Sequence, residues 1–489
     1  MSTVNPRSIL LIHPLGYNAE LAGKDISRKA NIMPPLGLAS IGAYLEERDI
    51  RVTIIDCYAH PDSMKRIQTI LAEEKPAWIG FSCTTSSFLD GVAITEQAKS
   101  ILPRIRSVFG GPHVSALKEV LLTDYPPVDF LVVGEGEETL YQLMTEEEDT
   151  IESIEGLVYR DSDSQPVFSG YRKKLLELDE LPFPAYEKLE GYPEFYQLPI
   201  FNYPKAPNTS MISSRGCPYA CSYCDRSVFR RSFRYNSAEY LFRHVVYLRE
   251  KFNIRHINFY DDQFTFNRDR VEEFCDLMIK SPLKITFNCA VRGDHIDLEL
   301  LQLMKKAGCW MISLGIETGD ENLLNQHKHK GNLKLLSEKI YLIKKAGIRV
   351  KGLMMIGLPG ETERTVKKSM EYVFSHPIDD INLAKFTPFP GSPLYQNIHD
   401  LGEFDEDWKK MDCMHFLFVP RGMTRERLEE LFADYYRGHF SRNKVLWGYV
   451  TMLWKSPHSW YRFIRDLGHF LSFVKSSKRI AEQPTSEKP

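Results

Sequence analysis

The chain has 489 residues, 43% of them hydrophobic and 26% charged, with a formal net charge of -3. Composition of that kind builds soluble globular cores, and the length calls for two or three of them. The balance of charge gives no electrostatic reason to expect nucleic acid as a partner. No charged-then-apolar leader opens the chain and no apolar run is long enough to cross a bilayer, so a cytoplasmic protein is expected.

From the N-terminus, ILLIHPLG, RVTIIDC, AWIGFSC, SVFGGPH and DFLVVGEG read as buried strands separated by helical segments. That alternation predicts a doubly wound, Rossmann-like α/β domain over residues 1-150 whose ligand lies beyond the strand carboxyl ends. Those ends carry small or polar residues: Ser82, Cys83 and Thr84, then Gly110, Gly111 and His113, then Gly134, Glu135 and Gly136. No GxGxxG opens the first helix, which argues against a dinucleotide. Residues 151-205 form a connector.

Residues 214-229, SRGCPYACSYCDRSVF, hold Cys217, Cys221 and Cys224 within eight positions. The other six of the nine cysteines stand singly in apolar surroundings and suit small buried hydrophobes. Nine thiols are too sparse for a disulfide scaffold in a chain of this length. Four clustered thiolates would close a structural zinc site, and a zinc knuckle completed by a distant cysteine is the alternative use of the trio. Cys-x3-Cys-x2-Cys fits three irons of a 4Fe-4S cluster, leaving the fourth iron open. Downstream, MISSRG, HINFYDDQF, ITFNCAVR, WMISLGIETG, VKGLMMIGLPGET and INLAKFTPF alternate with helical segments across residues 206-400, which predicts about six parallel βα units.

Residues 401-489 lie beyond both units and are expected to form a helical region capping the barrel, with Thr424 capping one helix, Pro457 separating two more, and EQPTSEKP a disordered tail. Between Arg437 and Arg479 nine bases face one acid, Asp466, and Trp447, Trp454 and Trp460 accompany them. Bases interleaved with large aromatics suit a helix lying on an anionic membrane, and equally a helix packed on the barrel with a solvated basic face.

The cysteine spacing, with Gly216 before it and Pro218 and Tyr223 within it, resembles the cluster loop of the radical S-adenosylmethionine enzymes. The resemblance implies a partial six-stranded barrel in which the open iron is chelated by S-adenosylmethionine, and reductive cleavage yields a 5'-deoxyadenosyl radical. It further implies S-adenosylmethionine contacts at strand ends: Tyr223 toward adenine, Tyr260, Asp261 and Asp262 where many relatives have Gly-Gly-Glu, Arg292 toward a carboxylate, Glu317 toward ribose or amine, and the segment from Gly357 to Glu361 on the adenine side. MPPLGLASIGAYLEERD, FGGPHVS, VVGEGEETL and the connector LDELPFPAY resemble the subgroup that carries a cobalamin-binding domain upstream of the radical core. The D-x-H-x-x-G signature is absent, so no protein histidine is expected on cobalt and His113 is expected to pack a loop.

A radical source joined to a methyl donor implies a C-methyltransferase acting on an unactivated carbon, with a lipophilic small molecule (lipid, hopanoid or tetrapyrrole) expected from the C-terminal segment. Relatives that cyclise or rearrange substrates oxidatively keep a second outcome open, and a non-enzymatic cobalamin or redox sensor is a third. An electron donor such as flavodoxin or ferredoxin is the implied protein partner.

Overall fold

The computed structural model describes residues 5–16 and 31–467. Seven strands form the first sheet: β1 (Asn5–His13), β2 (Arg51–Asp56), β3 (Pro76–Ser82), β4 (Arg106–Gly110), β5 (Phe130–Val132), β6 (Leu157–Arg160) and β7 (Pro166–Phe168). Their order is β2-β1-β3-β4-β5-β6-β7. β1 lies parallel between β2 and β3, with Ile9 opposite both Val52 and Trp78. The order reverses direction at β1, so helices cover both faces and a crevice opens at the carboxyl ends where the winding switches. One core packs on each face of this sheet, one built around Leu10, Phe81 and Phe109, the other around Leu11, Trp78 and Val132.

Two of these strands come from the stretch read as connector. β6 pairs antiparallel with β5, and β7 with β6. GLVYR is a short apolar run next to the polar turn Asp161–Gln165, and only pairing with β5 reveals it as a strand. A boundary at residue 150 therefore splits a continuous sheet, and the first unit extends through β7.

The second sheet contains β8 (Asn208–Met211), β11 (His256–Phe259), β12 (Thr286–Val291), β13 (Cys309–Glu317), β14 (Arg349–Ile356) and β15 (Asp380–Lys385), all parallel and in sequential order. Each crossover advances one strand in the same direction, which is barrel winding and leaves the helices on one face. β14 shows the pattern directly, with Val350, Gly352, Met354 and Ile356 buried and the alternate residues half-buried. Between β8 and β11 lies a two-stranded antiparallel ribbon, β9 (Ser214–Arg215) with β10 (Arg234–Tyr235), which closes the neck of the cysteine loop.

The C-terminal helices run Arg425–Phe440, Asn443–Val450, Met452–Lys455 and Pro457–Arg465. The Thr424 side chain caps the first by accepting from the Arg427 amide at 3.2 Å, and Pro457 opens the last. The Tyr449 hydroxyl meets Asp380, the first residue of β15, at 3.1 Å, and Arg349, the first of β14, meets the Met452 sulfur at 3.1 Å. These helices therefore cover the amino ends of the barrel strands. Lys475, Lys478, Arg479 and the EQPTSEKP tail lie outside the described residues. Among the described residues no helix is long and apolar enough to cross a membrane.

Candidate functional site

The carboxyl ends of the two sheets face one cavity of about 640 Å³. Its floor on the first sheet includes Gly80, Ser82, Gly110, Gly111, Gly134 and Gly136. A Cβ on Gly111, which has φ +102°, would lie 2.5 Å from the Cys83 carbonyl oxygen, so only glycine fits there. At Gly110 a Cβ would make ordinary contacts, the nearest at 3.7 Å, and at Gly37, also on the wall, it would meet nothing within 4 Å. The backbone is bare where a broad, flat ligand would rest. Connector residues Leu178, Leu181, Pro182 and Pro184 form part of the wall.

The opposite wall carries Cys217, Cys221, Cys224, Tyr260 and Asp262. Gly216 turns the chain into the loop at φ +87°, where a Cβ would sit 2.4 Å from the Ser232 carbonyl oxygen. Cys221 is buried, Cys217 partly so and Cys224 exposed, and all three line the cavity. The Cys224 thiol donates to the Cys221 sulfur and pulls its pKa down to about 5, with further help from the His329 amide and Lys328. Burial pushes Cys217 upward. Among the described residues no three His, Cys, Asp or Glu side chains converge to hold one metal ion. A cuboidal cluster gives each cysteine its own iron, and three thiols on one short loop of the cavity wall suit it.

A buried ion network ties the two walls together. Arg215 pairs with Glu137 at 2.6 Å and with Glu135, and Arg234, opposite it on the ribbon, also pairs with Glu135. Ser40 donates to Glu137 at 2.9 Å. Burial alone would raise the Glu137 carboxyl, but the Arg215 guanidinium outweighs it and holds the pKa below the usual value. Farther along the loop, the Ser227 hydroxyl donates to the Pro112 carbonyl at 3.0 Å. Glu135, expected to face a ligand, is thus engaged as a clamp. Nothing in the spacing of Arg215, Arg234 and Glu137 announced this pairing.

Other expected contacts lie elsewhere. Asp261 is buried under the loop and accepts from the Ser213 and Ser214 amides at 2.6 and 2.9 Å, so it shapes the loop's approach and does not border the cavity. Asp262 does border it, and burial together with the neighbouring Asp261 charge raises its pKa. Tyr223 packs with Leu323, Leu358, Phe386 and Phe418. Arg292 binds Asp294 at 3.0 Å and stacks over the Tyr219 ring at 3.8 Å. Glu317 pairs with Lys328 at 3.0 Å, and its charge acts on Cys224 and Tyr223. Thr84 caps the short turn Thr85–Ser87.

His113 is fully buried between Phe88 and Trp408, its Nδ1 3.3 Å from the Thr85 hydroxyl, and burial lowers its pKa to about 4. Among the residues lining the cavity the one imidazole is His244, from the barrel side, stacked on Phe183 at 4.5 Å. Glu361 is also buried, its carboxyl receiving the Gly357 and Leu358 amides while burial raises its pKa to about 8.

Comparison with known proteins gives this arrangement its class. Residues 26–144 match the B12 binding domain and residues 211–373 the Radical SAM superfamily. The chain is 28% identical to an uncharacterized methyltransferase of Pyrococcus horikoshii, covering 84% of this chain and 89% of that protein. It is 26% identical to the anaerobic magnesium-protoporphyrin IX monomethyl ester cyclase of Rubrivivax gelatinosus, over 90% and 78% of the two chains. In fold it is similar to the radical S-adenosylmethionine methyltransferase TsrM from Kitasatospora setae, solved with cobalamin and a [4Fe-4S] cluster bound, with a TM-score of 0.66 at 16% identity over 88% and 89% of the chains. The chain is an enzyme that joins a B12-binding domain to a radical S-adenosylmethionine core. These two domains imply a 4Fe-4S cluster, S-adenosylmethionine and cobalamin as cofactors.

Proposed function

We propose that the protein methylates an unactivated carbon of a lipophilic small molecule. The observation that carries this reading is that a bare glycine floor and three thiols line one cavity. Cobalamin supplies a transferable methyl group and the cluster with S-adenosylmethionine supplies a radical able to remove hydrogen from carbon. In this reading Cys217, Cys221 and Cys224 hold the cluster, and Tyr260 and Asp262 orient S-adenosylmethionine. Ser82, Gly110, Gly111, Gly134 and Gly136 seat the corrinoid face with no imidazole from the floor. Arg215, Arg234, Glu135 and Glu137 hold the two surfaces at a fixed separation. The methyltransferase from Pyrococcus favours methyl transfer. The cyclase match, of nearly equal identity, favours oxidative ring formation as the second reading.

The chemistry consumes electrons, so a reduced carrier protein is part of the proposal. Peripheral membrane contact is a further part, supported by an outward stripe of Leu446, Trp447, Val450, Leu453 and Trp454, with Trp447 66% and Trp454 64% exposed. The basic contribution is smaller than the sequence suggested. Arg442 and Arg462 bind backbone carbonyls, Arg437 and Arg465 pair with Asp434 and Asp466, and Trp460 turns inward onto Phe201. The stripe lies at the opposite end of the barrel from the cavity, so it would anchor the enzyme and not feed it.

Anaerobic incubation of the reconstituted, cobalamin-loaded chain with S-adenosylmethionine and a strong reductant should yield 5'-deoxyadenosine. A deletion strain should accumulate a metabolite or lipid lighter than the wild-type species by one methylene unit. No 5'-deoxyadenosine would sink the radical reading, whereas a mass change of hydrogen atoms alone would replace methylation by ring formation.

A further inference from the structure

We propose that an acidic one-electron carrier protein docks on the aromatic face formed by Tyr235, Phe266 and His329, beside the Cys217 loop. This deepens the proposed function and rests on it, because only reductive cleavage of S-adenosylmethionine requires an electron to arrive from another protein.

The face is built from rings that continue inward. Phe266 is 41% and Tyr235 40% exposed, and Phe233 joins them into one aromatic patch. Tyr235 lies 5.8 Å from Phe233, Phe233 4.5 Å from Phe266, and Phe266 6.4 Å from Tyr219, measured between ring centres. The exposed His329 is 5.6 Å from the Tyr219 ring. Tyr219 is two residues from Cys217, borders the cavity, and is fixed by its hydroxyl contact to His295 at 2.6 Å and by Arg292 above its ring. The surface therefore reaches the thiol loop through packed rings.

Charge selects the partner. Arg231 and Lys330 are exposed and make no ion pair among the described residues, and Arg231 reaches the Pro218 carbonyl oxygen in the thiol loop at 3.5 Å. The nearby carboxylates of Asp294 and Asp297 are engaged by Arg292 and Arg268, Asp262 borders the cavity, and Asp269 is exposed. An aromatic centre with a positive rim suits a small acidic redox protein, whose encounters bury little area and rely on steering by charge. In the transfer the carrier is oxidised by one electron and the cluster reduced by one, with no bond made or broken at the docking face.

Two readouts test this, using a flavodoxin as the acidic probe. Binding of oxidised flavodoxin to the cluster-loaded full chain at low salt should weaken at least tenfold in the Arg231→Glu/Lys330→Glu variant, and several-fold in Lys330→Glu alone. In the same variants 5'-deoxyadenosine formation driven by reduced flavodoxin should fall at least tenfold at sub-saturating carrier, while the rate driven by titanium(III) citrate stays within twofold of wild type. Unchanged flavodoxin affinity, or equal loss with both reductants, overturns the docking proposal. A wild-type chain that forms no 5'-deoxyadenosine with titanium(III) citrate would fail the proposed function instead, a result separate from the binding measurement.

Discussion

The two sheets present their carboxyl ends to the same cavity with opposite chemistry. The first sheet offers backbone, with glycine at Gly80, Gly110, Gly111 and Gly134, while the second offers thiols, a carboxylate and a phenol. A wide ring needs a smooth floor, and an iron-sulfur cluster needs directed ligands. One fold supplies each because a doubly wound sheet exposes turns at its switch point and a barrel exposes strand ends around a rim. The Arg215 and Arg234 clamp makes these two surfaces a single site.

Breaking the clamp should have the largest effect. Arg215→Met leaves the buried Glu137 without its cation, a change that costs about 3–5 kcal/mol and should appear as an early transition in chemical denaturation. Adding Glu137→Gln should recover part of that loss, and full additivity of the two changes would show that the pair does not interact.

Next in size is a change confined to the floor. Gly110→Leu should fold, since a Cβ there makes only ordinary contacts, yet its side chain would occupy space on the floor. Expected is loss of bound corrinoid with iron and sulfide content kept, read by absorption and metal analysis. Retention of stoichiometric corrinoid would show that the floor is not where it lies.

A third change sharpens the barrel side. Burial raises Glu361 to about 8 from an ordinary 4.5, so the folded chain holds a proton that the unfolded chain releases. Its contribution to stability is full below pH 4.5 and is lost as the pH rises through about 8, at up to about 1.4 kcal/mol per pH unit. Glu361→Gln should flatten that part of the stability profile, and an unchanged slope would assign the pH dependence to other groups.

Much of this architecture was legible in the chain. Strand runs ending in GGPH, GEGE and SRGC placed both sheets, and the three-cysteine spacing placed the loop, because strand periodicity and metal-ligand spacing are local properties. The residues that join the units were not legible. Arg215 and Glu137 are far apart in sequence, and Asp261 and Asp262 are neighbours of one type with different fates, one buried beneath Ser213 and one on the cavity wall. The β6 and β7 hairpin was hidden for the same reason, since its strand character comes from its partner. The tryptophan-rich segment was legible as helix but not in orientation, which packing of Trp460 and Arg462 decides.

The central claim is that one cavity holds the cluster by three thiols and the corrinoid by a floor that does not depend on them. Anaerobic reconstitution of Cys217→Ala/Cys221→Ala/Cys224→Ala with iron, sulfide and hydroxocobalamin, followed by metal, sulfide and corrinoid analysis, tests it directly. The account predicts no cluster and a full equivalent of bound corrinoid; a full complement of iron and sulfide in this variant would contradict it.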